Sequence, residues 1–112
     1  MMVKYFLETR IGDELVCSLV LYIVELRSRK LAVIEEVKTV EGYRHKGYGK
    51  SLVNRAIKKA KKLNCDIVEL CYNPTKGDMS RKFYTSCGFI EDGTVRAKIV
   101  LNEENMKKTD KW

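Results

Sequence analysis

Arg44-His45-Lys46-Gly47-Tyr48-Gly49-Lys50-Ser51 is the stretch whose reading decides the fold. Upstream of it, Leu31 to about Val40 reads as a strand, an apolar run interrupted only by Glu35 and Glu36 before its polar end. Downstream, Leu52, Val53, Ala56, Ile57, Ala60 and Leu63 recur at helical spacing, with Lys50, Asn54, Arg55, Lys58, Lys59, Lys61 and Lys62 elsewhere. That periodicity predicts a basic amphipathic helix from Tyr48 to Leu63. A strand, a loop with two glycines and a helix start is the arrangement that points free backbone N–H groups and the positive helix end at an anion. Glycine suits such a loop because a Cβ would block close approach and because the turn can require positive φ. The same pair of glycines before a helix can also be no more than a turn.

Two other phosphate loops fail on this stretch. Gly49-Lys50-Ser51 mimics the end of G-x-x-x-x-G-K-[ST], but the position of the first glycine holds Arg44. A dinucleotide fingerprint would need glycine at position 52, which is Leu52.

Working outward, Lys4 to Thr9 reads as a short strand, Ile11-Gly12-Asp13 as a turn, and Leu15 to Glu25 as a long strand apolar on both faces, hence central. Arg27 to Lys30 forms a polar turn into the strand that begins at Leu31. After the basic helix, Asp66 to Cys71 reads as a strand, and strand, helix, strand at this length implies a right-handed parallel crossover. The loop Asn73 to Gly77 leads to Asp78, an N-cap for a short helix Met79 to Ser86 that Gly88 ends. Phe89 to Asp92 and Val95 to Leu101 read as a closing hairpin around Gly93. These elements make residues 1–101 one α+β domain with a mixed, mostly antiparallel sheet, followed by a charged tail over 102–112.

A net charge of +7 admits nucleic acid, a membrane surface or a phosphorylated ligand as partner. Its distribution narrows the choice. From Arg44 to Lys62 there are eight Lys or Arg and no acid, so the excess lies on one loop and one helix. A nucleic-acid-binding module could use that surface, but the helix lacks interleaved aromatics and a recognised binding motif. No apolar run approaches the ~20 residues of a membrane span, and the start of the chain lacks the apolar core of a signal peptide. Cys17, Cys65, Cys71 and Cys87 sit widely spaced in apolar stretches, as buried thiols of a reducing compartment do, and with His45 the only histidine no zinc site is expected. A cytoplasmic protein without a metal is the expectation.

Arg44-x-x-Gly47-x-Gly49, after an apolar strand and before an amphipathic helix, resembles motif A of the GNAT acetyltransferases, [RQ]-x-x-G-x-[GA]. Ser80-Arg81-Lys82-Phe83-Tyr84-Thr85-Ser86-Cys87-Gly88-Phe89 resembles the family's motif B, which ends in F-Y-x-x-x-G-F. Both lie in the family's order and on the expected elements, and the likeness runs from about Tyr5 to Leu101. Ile34-Glu35-Glu36-Val37, Lys61-Lys62-Leu63-Asn64-Cys65 and Tyr84 to Phe89 are similar to glucosamine-6-phosphate N-acetyltransferases. Against the family pattern the chain begins at the second strand, so the usual first strand and the helices that shape the acceptor pocket are expected to be missing.

The resemblance implies direct transfer of the acetyl group of acetyl-CoA to a primary amine, whether amino sugar, polyamine, small amine or protein lysine. It implies cofactor contacts from Arg44, His45, Lys46, Gly47, Tyr48, Gly49 and Lys50, and main-chain pairing of Val37, Lys38 and Thr39 with the pantetheine like an added strand. Arg55 is a further candidate for the CoA phosphates. Tyr84 would protonate the leaving thiolate. Helical spacing puts Ser80 one turn before it, where the hydroxyl could bond the pantetheine or only cap its helix. An ammonium substrate must lose a proton before it attacks, which makes Glu35 and Glu36 candidate bases. They point to opposite faces if the strand is regular, and the likeness to amino-sugar enzymes favours Glu36 for the acceptor side. Each of these residues also has a plain structural role open to it: aromatic cover for Tyr84, outer-face polarity for the glutamates. A CoA-binding regulator without turnover is the other reading of the same loop. The strand Lys4 to Thr9 would be a sheet edge, through which a homodimer could form.

Overall fold

The computed structural model describes residues 1–71, 78–91 and 96–101. Strands β1 (Met2–Ile11), β2 (Glu14–Glu25) and β3 (Lys30–Thr39) form an antiparallel meander, and α1 (Tyr48–Lys62) crosses over to β4 (Ile67–Cys71). Helix α2 (Asp78–Ser86), β5 (Ile90–Glu91) and β6 (Arg96–Val100) complete the order. Among the described residues the strands form one sheet in the order β1-β2-β3-β4-β6-β5. The pair β3 and β4 is parallel and all other neighbours are antiparallel. The expected α+β architecture holds. The expected loop 73–77, the turn at Gly93 and the tail 102–112 lie outside the described residues.

Period-2 patterning fixes the faces. Cys17, Leu19, Leu21 and Ile23 of β2 share a core with Ala32 and Ile34 of β3, Val68 and Leu70 of β4, and Leu52, Val53, Ala56, Ile57 and Ala60 of α1. Burying each Leu, Val or Ile side chain stabilises by roughly 1.5–3 kcal/mol, so the apolar stripe of α1 holds it to the sheet despite its basic outer face. Val16 and Val20 are buried too, which bears out β2 as an interior strand.

Asp66, read from the sequence as the first residue of a strand, is instead a clamp just outside β4. It is 4% exposed. Its carboxylate accepts the Lys30 N–H at 2.8 Å, its own N–H donates to Lys30 O at 2.8 Å, and its carbonyl accepts the Leu101 N–H. One buried acid therefore aligns the ends of β3, β4 and β6, and a charge-assisted bond of this kind is stronger than a neutral one.

The cleft at the end of β3

The parallel ladder between β3 and β4 covers only Leu31 to Ile34 against Ile67 to Leu70. Past Ile34, β3 runs on to Thr39 with β2 as its only partner strand among the described residues. The reason lies in a bulge. Val20 pairs with Glu35 and Ser18 with Lys38, so Glu36 and Val37 together face Leu19, and Glu36 takes φ 56. An extra residue with positive φ bends its strand and sharpens its twist. Here that turns the far half of β3 away from β4.

The expectation that Glu35 and Glu36 point to opposite faces presumed a regular strand, and the bulge corrects it. Glu35 is half-buried on the face away from α1, while Glu36 is exposed at the bulge itself. The bulge also sorts the main-chain groups. Val40 N–H donates to Val16 O at 2.9 Å, which by alternation turns Lys38 toward β2 and leaves Glu36, Val37 and Thr39 facing the gap. Of the expected trio, Val37 and Thr39 thus offer their backbone to an added strand, and Lys38 does not. The Thr39 carbonyl is already engaged by Arg44 Nε at 3.1 Å.

The N-terminus of α1 stands at the mouth of this gap. Gly47 is its N-cap with φ 89, and no side chain caps the helix. Its first turn contains no acid, and the first intrahelical bond recorded there is Ser51 N–H to Gly47 O at 3.0 Å. The N–H groups of Tyr48, Gly49 and Lys50 therefore have no intrahelical acceptor. The two glycines serve different ends. A Cβ on Gly47 would meet nothing within 4 Å, so its positive φ is what calls for glycine. Gly49 lacks positive φ, but a Cβ there would lie 3.3 Å from Cζ of Phe83 and 3.4 Å from Thr39 Oγ1. The start of α1, the end of β3 and α2 thus converge on one point.

Around that point the sequence-derived candidates separate. His45 is exposed and holds φ 63, so its place in the loop is conformational as much as chemical. Lys46 Nζ sits 5.9 Å from the Tyr43 ring centroid, a cation–π arrangement, and Tyr43 packs edge-on to Tyr48 with centroids 6.0 Å apart. The Tyr43 hydroxyl donates to Glu14 at 2.9 Å, and that carboxylate raises the phenol's pKa. Lys50 lines a shallow depression of about 360 Å³ with Gly47, Ser51, Asn54, Arg55 and Lys58. Arg55 reaches the other way, donating to Glu8 O at 3.1 Å, so part of its guanidinium is structural. Tyr84 is half-buried, packed edge-on against Phe83 with centroids 5.1 Å apart. Ser80 lies within α2, and its side chain falls outside what the structure describes. Sequence reasoning missed Thr39 as a side chain: its Oγ1 lies 3.3 Å from Cys17 Sγ and sits under Gly49. Burial raises the pKa of both Cys65 and Cys87, which keeps these thiols neutral near pH 7. Among the described residues no cluster of His, Cys, Asp or Glu could hold a metal ion, and no helix is long and apolar enough to cross a membrane.

Comparison with known proteins adds to this geometry. The profile of the acetyltransferase (GNAT) family matches residues 3–89. Among solved structures, a protein of Agrobacterium tumefaciens strain C58 named as an acetyltransferase is 33% identical, with a TM-score of 0.74 over 81% of this chain. This chain spans 65% of that protein's length. An acetyltransferase of Bacillus subtilis in complex with CoA is 27% identical, with a TM-score of 0.70 over 88% of this chain and 77% of its own. Glucosamine-6-phosphate N-acetyltransferase of Arabidopsis thaliana shares the fold, at 23% identity and a TM-score of 0.68 over 83% of this chain and 63% of its own. No curated protein matches.

Proposed function

We propose that this chain, which belongs to the GNAT acetyltransferase family, binds acetyl-CoA in the cleft between β3 and α1 and directs its acetyl group to a primary amine. The observation that carries this reading is the uncapped N-terminus of α1 beside the bulged stretch of β3, whose edge toward β4 has no partner strand among the described residues past Ile34. Tyr48, Gly49 and Lys50 supply backbone N–H donors and the positive helix end for a pyrophosphate. Val37 offers an N–H and a C=O, and Thr39 an N–H, to an extended chain with amide groups, as a neighbouring strand would. The open space over Gly47 leaves room for the phosphates, so the residues present fit the group.

When bound, acetyl-CoA supplies an acetyl group activated as a thioester. The protein's part is positioning and proton management. Tyr84, on the α2 helix that packs against Gly49, donates a proton to the departing sulfur. Glu36, exposed at the bulge, accepts the proton of the incoming ammonium directly or through water, with Glu35 on the neighbouring position as the other carboxylate of this strand. A thiol leaving group with a reference pKa of about 8.5 departs adequately unaided near neutral pH, so Tyr84 accelerates the step without being indispensable. The acceptor is an amine such as an amino sugar, a polyamine, another small amine or a protein lysine, and the site of action is the cytoplasm.

The test is a calorimetric titration with CoA, then a screen of amines for acetyl-CoA-dependent thiol release. Binding of CoA with release on one amine class is the expected result. Absence of CoA binding at millimolar concentration would overturn the reading, and binding without release on any amine would leave a CoA-responsive regulator in its place.

A further inference from the structure

Beyond the bulge the gap side of β3 carries a short row of main-chain groups, and the chain that follows decides where the row stops. Lys38 and Val40 turn to β2, which leaves the N–H and C=O of Val37 and of Thr39 toward the gap. After Val40 the chain reverses at once. Tyr43 N–H donates to Val40 O at 3.0 Å, and Gly42 holds φ 95 at the third position of that turn, where a type II turn needs positive φ. The reversal brings Arg44 back alongside the strand, and its Nε donates to Thr39 O at 3.1 Å. The last outward acceptor of the row is thereby used. What stays open is a donor, an acceptor and a donor: Val37 N–H, Val37 O and Thr39 N–H.

Thr39 is fixed from two further sides. Its Oγ1 lies 3.3 Å from Sγ of the buried Cys17, its partner across the ladder, and a Cβ on Gly49 would come within 3.4 Å of the same oxygen. The stop therefore stands where β3 meets the start of α1. Arg44 itself is exposed, and among the described residues no carboxylate pairs with it. Its charge would suit a phosphate, yet the atom engaged is Nε and the partner is a backbone carbonyl.

We propose that Arg44 is a positioning residue that acts through the Thr39 carbonyl, an inference that rests on reading this cleft as an acetyl-CoA site. It ends the pairing edge of β3 at Thr39 and so fixes the register in which the amide-bearing arm of the cofactor lies along the strand. With Thr39 O taken, Val37 O is the one of these two carbonyls left for an N–H of the arm. If Thr39 O were free, the arm could pair two residues further on, which would draw its thioester end about 6.6 Å toward α1. Misplacing the reacting atoms by about 1 Å can already cost about 10²-fold in rate. Phosphates seated at the helix end oppose such a slide, so the stop matters most for an arm that lacks them.

The test compares Arg44→Gln with Arg44→Met. Glutamine carries an amide nitrogen as many bonds from Cα as arginine Nε, so it keeps a donor for Thr39 O without the charge, whereas methionine matches the length and donates nothing. Two unreactive thioethers serve as probes, S-trifluoroethyl-CoA and S-trifluoroethyl-pantetheine, the second lacking every phosphate. Calorimetry gives their affinities, and fluorine NMR reports where the end of the arm lies. With the pantetheine probe at saturation, wild type and Arg44→Gln should share one bound fluorine resonance, and Arg44→Met should show a displaced or second one. Affinity for the CoA probe should be alike in all three proteins, which also shows that each is folded. A loss of about tenfold for the CoA probe in both variants, with the pantetheine resonance unmoved, would make Arg44 a phosphate ligand and overturn the proposal. So would a methionine variant whose resonance matches wild type, a glutamine variant that behaves like methionine, or wild type that binds the CoA probe and not the pantetheine probe. Wild type that binds neither probe would instead remove the proposed function, and this inference with it.

Discussion

Replacing Gly49 sets two opposed effects against each other. Its φ is not positive, so the backbone accepts a Cβ, and alanine in a helix is favoured over glycine by about 1 kcal/mol, less in the first turn. Against this stands contact with Cζ of Phe83 at 3.3 Å, its Cε1 at 3.4 Å and Thr39 Oγ1 at 3.4 Å. Overpacking typically costs about 1–3 kcal/mol, and the half-buried Phe83 can yield by a few tenths of an ångström. Gly49→Ala should therefore be close to neutral. Gly49→Val adds branching toward the same ring and should destabilise by about 2–3 kcal/mol. At about 4–8 °C per kcal/mol for domains of up to roughly 100 residues, the valine variant should melt well over 8 °C lower. Displacing Phe83 also shifts the start of α1, so affinity for CoA should fall in both variants, more in valine. Gly47→Ala is the comparator: nothing within 4 Å opposes its Cβ, and only the left-handed φ of 89 does, at about 1–2 kcal/mol. Thermal melts paired with calorimetry on CoA read both quantities. A Gly49→Val protein that melts like wild type and binds CoA unchanged would refute both the packing contact and the phosphate loop.

Three further outcomes are expected. Tyr84→Phe keeps the edge-on packing with Phe83 and should retain acetyl-CoA affinity while lowering kcat by about 10²-fold or more; wild-type kcat at saturating amine would leave Tyr84 a packing residue. Glu36→Gly relieves a positive φ of 56 and removes a carboxylate, so unfolding should shift upward by about 0.5 kcal/mol while kcat falls, and a drop in stability would show that the bulge depends on the side chain. Burial raises the pKa of Cys65 and Cys87 above the ordinary thiol value. The unfolded chain ionises first, so their contribution to stability is full below the unfolded thiol pKa of about 8.5 and is lost as pH climbs through the folded values, which chemical denaturation at stepped pH would detect as a falling midpoint.

Where the sequence was explicit, periodicity did the work. The stripe Leu52, Val53, Ala56, Ile57 and Ala60 marked α1 because burial and helical repeat coincide there. The doubly apolar run of β2 marked an interior strand for the same reason. The glycine loop was legible as the uncapped start of α1 and so as a candidate anion site, but not the division of labour within it. Gly47 answers to local φ, whereas Gly49 answers to Phe83, a residue distant in sequence. The bulge at Glu36 had no local signal, since a glutamate in a strand does not announce positive φ. It could be found only from the mismatch in pairing with β2. Arg55 shows a related limit: its charge suggested phosphate, while its reach across to Glu8 O, which depends on how α1 lies over β1, had no signal in the sequence.

The short parallel ladder between β3 and β4 bears on the order in which the chain folds. β1, β2 and β3 meet through tight turns and antiparallel pairing, so little loop-closure entropy opposes them. β4 can join only after α1 has crossed the sheet, and against β3 it then gains only the pairs from Leu31 to Ile34. The meander should form the nucleus and the β4 side should dock late. Destabilising changes in β2 would accordingly slow refolding, whereas changes at Val68 or Leu70 would chiefly speed unfolding.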